Sequence, residues 1–437
     1  MKHWLRDQHF RSLLKNSGYL AASRIVAAVA GLATISLATH ALGLLLFGAL
    51  ILITSYAKAV SGIAKFQSWQ LIVRYGGRAL QGELDDFKAS TGFAFTLDAL
   101  SGVGGMLVAV AILPFIAPWV GIEPDQLWLA MLYCTLLPTM GAATPSGVLR
   151  ALDRFDLISW QSTANPIARV ILVAIAYVLD APFSAYVAAW YVTDLGGDLF
   201  LWFLGWRELR RRGLMQGIRP TLKPERLPGA WRFAIHVNLT ASVQAGWGPI
   251  ARLVVGGLLG PAGAALFRVA SSLSDAAAKP ADLLAKAFYP EVVRMDLTTK
   301  KPWKLMLRGT ALAGGVALIA IVALLLSGKA LVALLFGKDF IDAYEALVIL
   351  MLVPFFSVFS FPLSPMLYAL DRPDGPLKAR LAGTLIFFVT IAPLAWSLGV
   401  DGAAIAFVIG TVTTVGAMMW QLRGEHRRVR GATPGGR

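Results

Sequence analysis

Residues 19–64 read YLAASRIVAAVAGLATISLATHALGLLLFGALILITSYAKAVSGIA, and the fold class follows from this stretch. Its only charged side chains are Arg24 and Lys58. A helix crosses a hydrocarbon core about 30 Å thick with about 20 predominantly apolar residues. The stretch therefore predicts two crossings, near 18–40 and 43–64, with Leu42-Gly43 between them. The basic residues ahead of it, Lys2, Arg6, Arg11 and Lys15, resemble the start of a signal peptide. The run from Tyr19 to His40 is longer than a typical signal core and contains Arg24, so it reads as an uncleaved first span.

The same pattern recurs near 92–115, 126–148, 157–179 and 183–206. A second set follows near 233–257, 262–289, 305–328, 342–369, 377–398 and 401–421. Such runs are too long for barrel strands, and only helices otherwise satisfy every backbone N–H and C=O inside lipid. The expectation is an all-α polytopic membrane protein with about twelve transmembrane helices. Composition agrees: 57% of residues are hydrophobic and 15% charged, with mean hydropathy +0.65, against roughly 25% charged in a soluble domain. The lone cysteine, Cys134, lies in an apolar run and reads as a packing residue.

A net charge of +15 points to nucleic acid in a soluble protein. Here the basic residues sit between apolar runs, where they hold loops at the cytoplasmic face. The loops at 1–16, 65–91, 149–157, 207–232, 291–304, 371–380 and 421–437 carry about 30 of the 40 Lys and Arg, and the opposite loops about two, Lys329 and Lys338. Both termini are expected in the cytoplasm, with no nucleic-acid partner. No loop is large enough to bury its own core. On the opposite side, Leu331–Phe336 reads as a short segment along the interface.

The chain also repeats itself. Ala151-Leu152-Asp153-Arg154-Phe155-Asp156 recurs as Ala369-Leu370-Asp371-Arg372-Pro373-Asp374, and Leu42-Gly43 corresponds to Leu259-Gly260. Both pairs share one offset, with Pro220, Pro224 and Pro228 between the copies. The expected organisation is two six-helix bundles, 1–206 and 233–422, related as parallel repeats. A cytoplasmic linker at 207–232 joins them, and a basic tail occupies 423–437.

Charges inside the spans carry the functional information, because each is costly in lipid and belongs at a bundle interior or a wet cavity. In span eight Arg268, Asp275, Lys279, Asp282 and Lys286 fall on one side of a helix. They line a cavity or form an internal ladder of i,i+4 pairs. Arg24, Lys58, Arg169 and Arg252 add cations at different depths; Gln161, Asn165 and Arg169 share one helix face beside Pro166. Asp194 and Asp198, one turn apart in span six, counter these cations, bind a coupling sodium or proton, or bridge helices. Cations outnumber acids, which suits an anionic substrate such as a phosphate ester. Gly246-Trp247-Gly248-Pro249, Pro138, Pro145, Pro354, Pro362 and Pro365 mark breaks that serve as hinges or packing kinks.

Catalytic and cofactor signatures are missing. The sequence has no Gly-rich loop ending in Gly-Lys-Ser/Thr, and its five histidines lack a metal-ligand spacing. A non-enzymatic membrane protein without cofactor or metal is expected. An antiporter of organic cations would carry an acidic interior, and a scaffold for a sugar-assembly complex would tolerate loss of its buried charges.

Several helix ends carry a family resemblance. They are Leu13-Leu14-Lys15-Asn16-Ser17 with Ser23-Arg24, Leu42-Gly43, the two Ala-Leu-Asp-Arg loops, and residues 259–267. Phe288-Tyr289-Pro290, residues 335–340 and residues 399–404 complete the set. Together they resemble the Wzx-type polysaccharide or O-antigen flippases of the multidrug/oligosaccharidyl-lipid/polysaccharide (MOP) exporter superfamily. The resemblance implies a MATE-like pair of six-helix bundles around a cationic cavity. It further implies alternating access driven by an ion gradient, and an undecaprenyl-diphosphate-linked oligosaccharide carried across the inner membrane. Polysaccharide polymerase and assembly proteins are the implied partners. Arg24 matches the family's substrate arginines; Arg169, Arg252, Arg268, Lys58 and Lys279 are chosen on burial and helix face.

Overall fold

A straight helix of 57 residues would rise about 85 Å, far more than a bilayer. Helix α1 (Gln8–Ala64) reaches 57 residues because two helical arms meet at Gly43, whose φ of 64° and ψ of −172° are non-helical. A side chain at such a positive φ crowds the backbone, so glycine fits best. The computed structural model describes residues 8–77, 83–293, 301–360, 363–369 and 374–431.

From α1 the chain runs through α2 (Trp69–Gly76) and α3 (Leu84–Ile116), then α4 (Leu127–Cys134) and α5 (Ala143–Ala151). It continues with α6 (Phe155–Val178) and α7 (Phe183–Arg211). Helix α8 (Ala230–Val293) repeats the geometry of α1, with its break at Gly260 (φ 73°, ψ −176°). Then come α9 (Lys301–Phe336), α10 (Ala343–Leu350), α11 (Leu352–Ser360), α12 (Leu363–Ala369) and α13 (Gly375–Gly431). Helix α13 breaks at Gly399 (φ 63°, ψ −137°), and Asp180 (φ 46°) takes the matching place between α6 and α7. A short 3-10 turn precedes α4 at Pro124–Gln126 and α10 at Lys338–Phe340. Among the described residues both halves share a fourth span that is interrupted, between α4 and α5 in one half and at Met351, between α10 and α11, in the other. Residues 331–336, expected along the interface, form the helical end of α9.

The Ala-Leu-Asp-Arg motif has a backbone reason. Asp153 adopts φ 57°, its N–H reaches Arg150 O at 3.1 Å, and the Arg154 N–H reaches Leu149 O at 2.7 Å. These two bonds cap the end of α5 as a Schellman motif. The second copy, at 370–373, lies outside the described residues.

The chain forms two compact units, Met1–Leu42 with Ala49–Leu253, and Gly43–Gly48 with Val254–Arg437. In the first, Ile72, Phe87, Val148, Leu152, Leu209 and Leu214 share one core. Leu227 and Ala230 pack with Leu71 and Phe93, Trp231 meets Phe93 edge-on, and the Tyr75 hydroxyl donates to Pro228 O at 2.9 Å. The expected linker therefore lies against α2 and α3, and the division between units falls at 253–254, beyond the expected start at 233. In the second unit Met366, Leu367, Ala379, Val415 and Met418 form a core, and Phe387 and Phe407 pack as an edge-to-face pair.

Many large apolar side chains face outward. Leu326 is 84% exposed, Trp119 80% and Trp420 77%. Water penalises such surfaces and lipid does not. Among the described residues, the stretches Ile25–Gly76, Leu84–Val120, Trp247–Ala277 and Gly375–Arg423 are long and apolar enough to cross a membrane. The protein is an all-α polytopic membrane protein.

Candidate functional site

The polar face of α6 is legible one turn at a time. Gln161 Nε2 donates to Gly197 O at 3.1 Å, and Asn165 fills the space that Gly197 leaves open, where a Cβ would lie 2.5 Å from Asn165 Nδ2. Arg169 Nε donates to Thr193 Oγ1 at 2.8 Å, its guanidinium pairs with Asp194, and its Cζ lies 5.5 Å from the centre of the Trp190 ring. This face therefore binds α6 to α7. Pro166 sits inside α6 without ending it. The Tyr133 hydroxyl also donates to Asp194, and Lys58 Nζ stands 3.9 Å from Asp194 Oδ2. Side chains from α1, α4 and α6 thus converge on one carboxylate of α7, and a buried charge needs such partners to repay its lost hydration.

A second cluster serves the break in span four. Helix ends leave backbone groups unpaired, and lipid offers them nothing. Lys65 donates its ammonium to Pro138 O at 3.2 Å and to Met140 O at 2.5 Å. Asp98 accepts from the Thr144 N–H at 2.8 Å, the Thr144 hydroxyl at 2.6 Å and the Ser68 hydroxyl at 2.6 Å, capping the start of α5 from another helix. Gly102 lets α3 approach this region: a Cβ there would lie 2.7 Å from Pro138 Cα.

Beside the break lies a cavity of about 370 Å³ in the first unit. Its charged lining is Lys58, Lys65 and Arg150, joined by Ser61, Ser146 and Trp69, and no carboxylate is among its lining residues. The Arg150 guanidinium lies over the Trp69 ring, 4.4 Å from its centre, and its Nε donates to Ser146 Oγ at 3.2 Å. Arrays of this kind attract phosphate oxygens, because a planar guanidinium offers paired donors and an ammonium adds charge.

The structure brings Lys58, Arg169 and Asp194 together, with Asp198 one helical turn away. Arg252 lies in the same unit and donates from Nε to Ser55 Oγ at 2.9 Å. Arg268 belongs to the second unit, 3.9 Å from Asp275. The side chains of Arg24, Lys279, Asp282 and Lys286 lie outside the described residues. Sequence reasoning missed Lys65, Arg150, Asp98 and Tyr133. The first two count there as loop charges because they flank apolar runs, and Asp98 lies within an otherwise apolar span. Among the described residues no group of three or more His, Cys, Asp and Glu could hold a metal ion.

Outside the spans, Arg154 bonds Asp156 at 2.9 Å and Glu208 at 2.7 Å, and Arg212 bonds Glu208 at 2.8 Å. The hydrogen bond from Arg154 holds the Asp156 carboxyl below the usual carboxylate range. Burial pushes Glu208 upward, but the hydrogen bond from Arg212 and the charge and hydrogen bond of Arg154 outweigh it, and the net direction is down.

Paired broken helices, glycine-turned hairpins and a charged interior define a multi-pass membrane protein with a transporter fold. The chain is similar over its length to an inward-facing multidrug resistance MATE family transporter of the MOP superfamily, at 18% identity and TM-score 0.70, covering 96% of each chain. It is also similar to the lipid II flippase MurJ in an inward closed conformation, at 11% identity and TM-score 0.72, covering 94% of this chain and 89% of that one. Residues 13–277 match the family described as Polysaccharide biosynthesis protein, and the chain belongs to that family. It is 40% identical over 348 residues to Inner membrane protein YghQ of Escherichia coli (strain K12), covering 79% of this chain and 98% of that protein.

Proposed function

We propose that this protein is a flippase of the bacterial inner membrane, moving an undecaprenyl-diphosphate-linked oligosaccharide from the cytoplasmic to the outer leaflet for surface polysaccharide synthesis. The observation that carries this reading is the cavity lined by Lys58, Lys65 and Arg150 without a carboxylate. A diphosphate-sugar head needs a wet, basic chamber, while its isoprenoid tail stays in the bilayer. The substrate cations in this scheme are Lys58, Arg169, Arg252 and Arg268, with Arg24 and Lys279 as further cations, and the mechanism is alternating access. Asp194 acts in charge pairing, since Arg169, Tyr133 and Lys58 surround it. Asp198, Asp275 and Asp282 are the candidates for exchanging a coupling proton or sodium. Both termini face the cytoplasm in this scheme, and a polysaccharide polymerase takes up the product.

The test is mass spectrometry of lipid-linked oligosaccharides in a host strain lacking the gene. The expected result is accumulation of a complete diphosphate-linked repeat unit on the cytoplasmic side, relieved by the intact gene. No accumulation, with surface polysaccharide unchanged, rejects the flippase and directs attention to export of organic cations.

A further inference from the structure

We infer that the cavity walled by Lys58, Ser61, Lys65, Trp69, Ser146 and Arg150 is a binding site for a diphosphate ester head, lying wholly within the first unit, and that Lys58 is the residue that changes partner when the head arrives. The inference rests on the flippase reading and gives it a first docking point. Its volume of about 370 Å³ is in the range of small-molecule sites, about 300–1,000 Å³.

The three cations are held differently. Lys65 is committed to the carbonyls of Pro138 and Met140, so it contributes field more than contact. Arg150 is set by Trp69 on its flat face and by Ser146 at Nε, which orients the guanidinium as a rigid fork. Lys58 stands at 3.9 Å from Asp194, with its side chain 39% exposed, and it also lines the cavity. Asp194 keeps Arg169 and Tyr133 when Lys58 turns away. A dianionic head can therefore draw Lys58 over without stranding a buried carboxylate. The hydroxyls of Ser61 and Ser146 add neutral donors, as a phosphate or sugar oxygen requires.

The test uses the full-length protein in phosphatidylcholine nanodiscs, titrated calorimetrically with farnesyl diphosphate. Wild-type protein is expected to bind, and Lys58→Gln and Arg150→Gln to weaken binding at least tenfold each. Equal affinity for inorganic pyrophosphate assigns the site to the anion alone, whereas a clear preference for farnesyl diphosphate assigns it to a lipid-linked head. Competition by phosphatidylglycerol discs assigns it to a phospholipid headgroup and overturns the inference. Absence of binding, or unchanged affinity in both glutamine variants, overturns it as well. If a glutamine variant lacks the wild-type melting transition, Arg150→Lys takes its place, since it keeps the charge but loses the fork and the stacking. At least threefold weakening is expected there, and unchanged affinity is again the overturning result. Intact binding without repeat-unit accumulation in cells rejects the flippase reading and leaves the site. Accumulation with binding untouched by the variants does the reverse.

Discussion

Asp194 shows what a buried charge requires of its neighbours. Removing Arg169 leaves the carboxylate with Tyr133 and with Lys58 at 3.9 Å, and breaking such a pair costs about 3–5 kcal/mol. Arg169→Gln is therefore expected to lower the melting temperature in detergent sharply, and Arg169→Gln with Asp194→Asn to recover most of the loss. No recovery in the double variant would show that Arg169 acts through packing on Trp190 instead. At the loop side, Glu208 and Asp156 have folded values below their unfolded ones. Their stabilisation is complete above the unfolded carboxylate value, about 4, and disappears as pH falls through the folded value. Glu208→Gln should thus melt below wild type at pH 7, and the gap should close below about pH 4. A gap independent of pH sinks that account. Of this residue-level detail the sequence shows the helical face of Gln161, Asn165 and Arg169. It does not show that the face is turned to α7, because spacing along one helix carries no information about its neighbour.

Individual helices depend on a few backbone positions. Gly43 has φ 64° and ψ −172°, a conformation essentially reserved for glycine, so Gly43→Ala is expected to cost about 1–3 kcal/mol. Gly31 lies within the same element with open space around its missing Cβ, and Gly31→Ala is expected to be neutral or stabilising by up to about 1 kcal/mol. Equal effects at both sites in thermal unfolding would contradict the hairpin geometry. Helix α5 depends on Asp98: Asp98→Ala leaves the Thr144 amide and the Ser68 hydroxyl without their acceptor, a cost of about 1–3 kcal/mol. Hydrogen exchange at Thr144 should accelerate by tenfold or more, with Asp98→Asn intermediate, and unaltered exchange would refute the cap. Breaks at Pro138 and Pro145 were legible, since proline lacks the N–H a helix needs. The charged residues that hold the break were not, because Lys65 comes from the connection after α1 and Asp98 from α3.

Across the whole molecule, apolar runs gave nearly every helix, because lipid leaves the backbone no alternative. Helix turn-points were readable at Leu42-Gly43 and Leu259-Gly260 for the same reason. Residues 207–232 were harder. Their prolines and charges have the composition of a connector, yet Leu227, Ala230 and Trp231 pack on the first unit. Gly92 makes room for that packing, since a Cβ there would stand 2.1 Å from Arg219 O. Gly92→Val is expected to lift the segment and speed tryptic cleavage between Arg210 and Arg226 severalfold; an unchanged digestion pattern would mean the segment holds without that fit.

The order of synthesis follows from the break in span four. Lys65 and Asp98 leave the ribosome before the turns at 135–142 and the start of α5 that they hold. Neither α4 nor α5, of eight and nine residues, can cross a bilayer alone. Their carbonyls and amides therefore meet waiting side chains as the nascent chain passes into the membrane. This broken backbone of the first unit can settle during translation, before residues 254–437 of the second unit have been made.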